Sequence, residues 1–241
     1  MSEIEKYTAA WFREEGKKEE WVAIDAMVEK ERESFLDKFS AEAIAALEGK
    51  DILTKLFYNQ TRDRENLCYA IESSPINREL FGNITGGSAY KFGLFFYKKE
   101  QKWTSGSPHA PVYLDEEDAI KIGAQIRDYL VEGAKIIEEN APYEKIEDYE
   151  NLSLKLSEIP IANNIWVMKY WQMLFPNVFP TFYAERLQNA LIKLFKEEPS
   201  DNPYVRMGKI KLFINSCGIS NYVFLKIYRN AVSDNPQISI W

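Results

Sequence analysis

Four lysines and two ring side chains between residues 91 and 103 are the first groups in this chain that suggest chemistry. Lys91, Lys98, Lys99 and Lys102 are spread through a run that also holds Tyr97 and Trp103. Ammonium groups interleaved with rings suit a polyanion. The lysines would pair with phosphates, and Tyr97 or Trp103 would stack on a base or line a pocket for a flipped one. A plainer reading of the same residues puts the rings in the core and leaves the lysines as a solvated edge that discourages strand pairing.

Two further constellations lie in the last third of the chain. RMGKIKLFINSCGISNYVFLKIYRN has the proportions of a helix-turn-helix, with Gly218 in the turn and Ser220 capping the second helix. Asn221, Tyr222, Lys226 and Arg229 would then face a DNA groove. Two packed helices joined through a glycine turn also simply end many helical domains. Trp166, Lys169, Tyr170 and Trp171 would make an aromatic cage for a methylated base or, at helical spacing, part of a core.

Catalytic signatures are missing from the pattern. The single histidine, His109, sits in a Gly-Ser-Pro stretch with no nucleophile motif beside it, and neither an H-E-x-x-H nor a paired-cysteine spacing occurs. Cys68 and Cys217 are far apart in sequence and are expected to be two buried thiols. The chain is therefore expected to be neither an enzyme nor a metal or cofactor binder.

These groups need elements to hold them. From Phe81 to Gly106 the turn residues Gly86 and Gly87 precede an alternating run, in which Tyr90, Phe92, Leu94 and Phe96 share one face and Lys91, Gly93, Phe95 and Tyr97 the other. A turn at Lys99-Glu100-Gln101 leads into a second strand with Lys102, Trp103 and Thr104. One β-hairpin near 89–105 follows, with Gly106 to Pro111 as a loop. Apolar residues elsewhere recur at three and four positions. The spacing predicts two helices from Glu3 to about Phe39, broken at Gly16, then 41–47 capped by Ser40 and a helix after Asp51. A polar loop spans Asn59 to Asn66, and LCYAI is strand or helix. Asp115 with Asp118 opens a long helix that Pro142 closes, and helices follow near 146–159, from Asn163 or Asn164 to Pro176, and at 184–196, 205–216 and 220–231.

The fold expected is α+β, predominantly helical, with that small β element. A division at 1–75, 76–160 and 161–241 is one reading, and a single compact domain is the other. At 241 residues either has enough chain for a core. No apolar run is long enough for a bilayer and no signal peptide is recognisable at the start, so a cytoplasmic protein is expected. The net charge of −7 argues against indiscriminate nucleic-acid binding, but it is segregated. Residues 1–75 and 111–160 carry −6 and −8, whereas 76–110 and 161–241 carry +3 and +4. Basic regions are thus set among acidic helices.

The order of several blocks resembles the long N-terminal region of McrB-type AAA+ proteins of modification-dependent restriction. The blocks are the Asp63-Arg64 dipeptide, FGNITGGSAYKFGLFFYKKEQKWTSGSP, EEDAIKIGAQIRDYLVEGAKII, WVMKYWQMLFPNVFPTFY and YVRMGKIKLFINSCGIS. They cover roughly Ser40 to Tyr228. The resemblance implies a DNA-recognition module for defence against foreign DNA. It would work with an AAA+ motor in the same polypeptide or complex and with a separate nuclease subunit. No GxxxxGK[ST] phosphate loop is present, so the motor is not within these residues. The chain also departs from the pattern. Met168 stands where a histidine is expected after Trp166-Val167, and Ala184 or Glu185 where another is expected after FPTFY. A site that those histidines serve is not implied here. The reading from another class is a protein-interaction or oligomerisation module coupling the motor to the nuclease, for which the acidic 111–160 stretch would suit a basic partner.

Overall fold

The computed structural model describes residues 7–59 and 64–234. Residues 3–6 of the first predicted helix, 60–63 of the predicted polar loop and Asp63 of the quoted dipeptide lie outside them. Helix takes 62% of the structure, and the strands described form one three-stranded antiparallel sheet, so the class is α+β and predominantly helical as expected.

Before the sheet come α1 (Ala9–Glu15), α2 (Val22–Phe39), α3 (Ala41–Ala45), α4 (Lys50–Leu56), α5 (Leu67–Glu72) and α6 (Pro75–Leu80). The sheet is β1 (Phe95–Tyr97), β2 (Lys102–Ser107) and β3 (Ala110–Leu114). After it come α7 (Glu116–Glu139), α8 (Ile146–Leu156), α9 (Ile165–Leu174), α10 (Glu185–Leu194), α11 (Pro203–Cys217) and α12 (Asn221–Asp234).

Short polar side chains start many of these helices, because the first amides of a helix lack a partner within it. Thr8, Ser40, Asn66, Ser74, Asp115 and Asn202 each accept from an amide of the first turn they precede. At α4 the expected cap is absent. Asp51 lies inside the helix, and Gly49 precedes it at φ +51°. A left-handed backbone is cheapest for glycine, so geometry rather than a side chain starts this helix.

The centre of the fold is α9, whose residues from Trp166 to Leu174 are all buried. A helix that is apolar on every side must be surrounded. Tyr170 reaches α2, its hydroxyl donating to Phe39 O at 3.0 Å, and Trp171 Nε1 donates to Leu130 O of α7 at 3.0 Å. Side chains from 1–75, 76–160 and 161–241 therefore meet in one continuous core.

The β region differs from the expected single hairpin in two ways. Ala89–Phe92 is a turn of 3₁₀ helix rather than strand, ending at Gly93 with φ +78°. The alternation there survives as burial, with Phe92 against Tyr58 and Trp166, but no neighbouring strand pairs with it. The stretch Gly106 to Pro111 is a second tight hairpin rather than a loop. Gly106 pairs with Pro111 and Ser107 with Ala110, and Ser107 Oγ accepts from Ala110 N at 3.2 Å. Proline is tolerated on β3 because that strand is at the edge of the sheet, where an amide is not needed on its open side.

Candidate nucleic-acid interface

The predicted site residues separate into three groups, and the structure treats each differently. In the ribbon, Lys98, Lys99 and Lys102 are exposed, and among the described residues none of them is ion-paired. Lys91 is not a free cation. Its ammonium is paired with Glu72 and donates to Ile84 O at 3.2 Å and Gly86 O at 2.9 Å, so it clamps the 84–86 loop. Trp103 is also withdrawn, 7% exposed and edge-on to Phe96 at 5.5 Å.

Register explains where the rings go. Phe96 pairs with Trp103 and Trp103 with Leu114, so these three share the inner face of the sheet, with β2 and β3 packed on α7. Tyr97 pairs with Lys102, and Phe95 and Tyr113 both pair with Thr104, so these five share the other face. Phe95 and Thr104 are buried at its centre, Phe95 against the ring of Tyr90 at 4.8 Å. Tyr90 and Tyr97 are half-buried, and Tyr113 is 45% exposed with the Lys102 ammonium 5.8 Å from its ring centroid. Desolvation raises the Tyr113 phenol above its ordinary value, and Glu100 and the phenols of Tyr90 and Tyr97 add to the shift. Three tyrosines and a lysine thus gather on this outer face.

Tyr90 and Tyr113 were not among the predicted site residues. Tyr113 was hidden because Gly106 to Pro111 reads as a loop. Tyr90 was placed with Phe92 and Leu94 on an apolar strand face. The signal that points to Tyr113 is the short β-prone run Val112-Tyr113-Leu114, separated by three residues from Gly106-Ser107-Pro108.

The C-terminal helices carry a correction. The turn through Gly218 is present, at φ +70°, but the second helix turns its predicted reading face inward. Asn221 is 2% exposed, donating to Pro176 O at 2.5 Å and Phe179 O at 2.8 Å and accepting from Lys211 Nζ at 3.2 Å. Tyr222 is 7% exposed, edge-on to Phe81. Lys226 is ion-paired with Glu79 at 2.6 Å, and Arg229 Nη1 donates to Glu79 O at 3.3 Å. An apolar stripe at helical spacing must be covered, and α12 covers its stripe on α1, α2 and α11. The ribbon lysines and the α12 cations are held by different elements, and Glu79 engages the α12 pair while, among the described residues, Lys98, Lys99 and Lys102 stay free of carboxylates.

The aromatic pocket is likewise core. Lys169, Tyr170 and Trp171 are fully buried, and Trp166 is 3% exposed. Lys169 Nζ donates to Gly82 O at 2.6 Å. Burial pulls this ammonium down to about 7, with Arg78 acting the same way and Glu72 opposing. Of these four residues Trp166 alone lines an open cleft of about 450 Å³, with Asn83, Thr85, Lys91, Asn164 and Tyr183 among its neighbours. Among the described residues no cluster of three or more His, Cys, Asp or Glu side chains is placed to hold a metal ion, and no helix is long and apolar enough to cross a membrane.

Comparison of the chain with family models, with curated proteins and with solved structures gives no match.

Proposed function

We propose that this chain is a DNA-recognition module of an McrB-like, modification-dependent restriction system, cytoplasmic and with no catalysis of its own. The observation that supports it most is the trio Lys98, Lys99 and Lys102, exposed and unpaired at the turn of a ribbon on an otherwise acidic chain. Ammonium groups left without carboxylates are free to replace the counterions of a phosphate backbone, which is the largest sequence-independent term in DNA affinity. The ordered-block resemblance supplies the biological setting, with an AAA+ motor and a nuclease as partners.

Filter binding at low salt with methylated and unmethylated duplexes tests the reading. Binding that weakens in Lys98→Ala, Lys99→Ala and Lys102→Ala proteins is expected. Unchanged affinity and unchanged salt dependence in all three would remove the ribbon from DNA recognition.

One feature favours a protein-interaction module instead. β3 lies at the edge of the sheet with Val112 50% exposed, and an open edge can accept a strand from another chain. The opposite edge is occupied, since Phe96 N donates to Tyr58 O at 2.8 Å. No DNA affinity at low salt, together with stoichiometric binding of the purified nuclease subunit, would favour this second reading.

A further inference from the structure

The outer face of the sheet carries rings that the core does not use. Tyr97 on β1 and Tyr113 on β3 flank the central strand, with Lys102 and Thr104 of β2 between them. Neighbouring strands lie about 4.8 Å apart and residues along a strand rise about 3.3 Å each, so the two tyrosine Cα atoms are on the order of 12 Å apart. Among the described residues the Tyr113 ring packs on no other ring. At the end of this face Lys98, Lys99 and Lys102 outnumber the one carboxylate nearby in sequence, Glu100.

We propose that this face binds single-stranded nucleic acid, its unpaired bases stacking on Tyr97 and Tyr113 while Lys98, Lys99 and Lys102 meet the phosphates. The inference rests on the nucleic-acid reading above and names the form of the ligand. A base has an open π-face only when it is out of a duplex, and partly exposed rings beside cations are what such a strand requires. In an intact duplex the stacked bases hide those faces, leaving the lysines useful and the rings idle. A protein partner would gain nothing specific from three unpaired ammonium groups unless it were acidic, whereas a nucleic-acid strand supplies both the negative charge and the rings.

Fluorescence anisotropy on the full chain, with a labelled 15-nucleotide oligothymidylate and a duplex of equal length, tests this. The single strand is expected to bind more tightly. Tyr97→Leu and Tyr113→Leu should each weaken it by about tenfold, as loss of one stacked base does, while leaving duplex affinity unchanged. Tyr113→Phe should retain the affinity, because the ring remains. If both leucine variants bind the single strand as the parent does, or if the duplex binds more tightly and responds only to the lysine variants, the stacking proposal fails and duplex recognition stands. Absence of binding to either ligand at low salt would overturn both.

Discussion

The indole of Trp171 occupies the space that a side chain at Gly133 would need, and its N–H donates to Leu130 O one turn earlier on α7. Through this contact the buried helix α9 fixes α7, and α7 in turn supports the inner face of the sheet that carries the exposed lysines. The position of the ribbon thus depends on a glycine far from it in sequence.

Gly133→Ala should therefore destabilise the protein. A methyl at that position enters the indole, and overpacking of a tight core costs about 1–3 kcal/mol. Urea denaturation followed by circular dichroism should show a lower midpoint with an unchanged slope. The folded fraction should bind DNA as the parent does.

Asn221→Ala should lose stability and not specificity. The Asn221 side chain satisfies the carbonyls of Pro176 and Phe179 and accepts from Lys211, so its removal strands the buried Phe179 carbonyl and Lys211 ammonium and the partly buried Pro176 carbonyl. Such losses cost roughly 1–3 kcal/mol. A reduced melting temperature with unchanged DNA affinity is expected. A large loss of affinity at unchanged stability would restore the groove-reading role.

Lys169 should make stability depend on pH. Its ammonium falls from 10.5 to about 7 on folding, chiefly through burial. Above the unfolded value the group is neutral in both states and no penalty applies. As pH falls between 10.5 and about 7 the unfolded chain takes up a proton that the folded one refuses, so stability declines. The slope from this group approaches about 1.4 kcal/mol per pH unit within that window. Lys211, lowered to about 8 by burial, adds the same sign over a narrower range. Lys169→Met should remove this group's share of the slope between about pH 7 and 10 in denaturant titrations.

Replacing Lys98, Lys99 and Lys102 together by alanine should leave folding nearly untouched. Exposed substitutions of this kind stay within about 0.5 kcal/mol. If all three meet phosphates, the slope of log affinity against log salt should fall by about three, close to one for each lysine removed. Thermal melts and salt-dependent filter binding measure the two effects separately.

Neither cysteine should react quickly in the native protein. Cys68 and Cys217 are buried free thiols, and burial raises both, Cys217 to about 11. Since the thiolate is the reactive form, a chromogenic disulfide reagent at about pH 8 should label both only after a denaturant is added. Rapid labelling without denaturant would contradict this packing.

Much of the helical frame was legible because its causes are local. Asp115 ahead of a periodic run announced α7, and Gly218 marked the end of α11. The start of β2 was legible from the polar turn at Lys99-Glu100-Gln101. The second hairpin was not, because Gly106 and Pro111 carry little strand preference, and only pairing with each other across the hairpin makes them strand. The same alternation that suggested strand at Tyr90 and Phe92 is met by a 3₁₀ turn, from which Lys91 reaches Glu72 and the 84–86 loop.

Composition and spacing alone determined that this chain is a mainly helical α+β protein with a lysine-rich turn beside aromatic residues. Those properties follow from the chemistry of neighbours along the backbone. Which cations stay free, which rings face outward and which helix lies at the centre were decided only by the tertiary structure. Glu79 reaches Lys226 and Glu72 reaches Lys91 across sequence separations that no local pattern encodes. A charge or ring takes its role from the partner that folding places against it, and Lys98, Lys99, Lys102, Tyr97 and Tyr113 retain open surface because the core is completed without them.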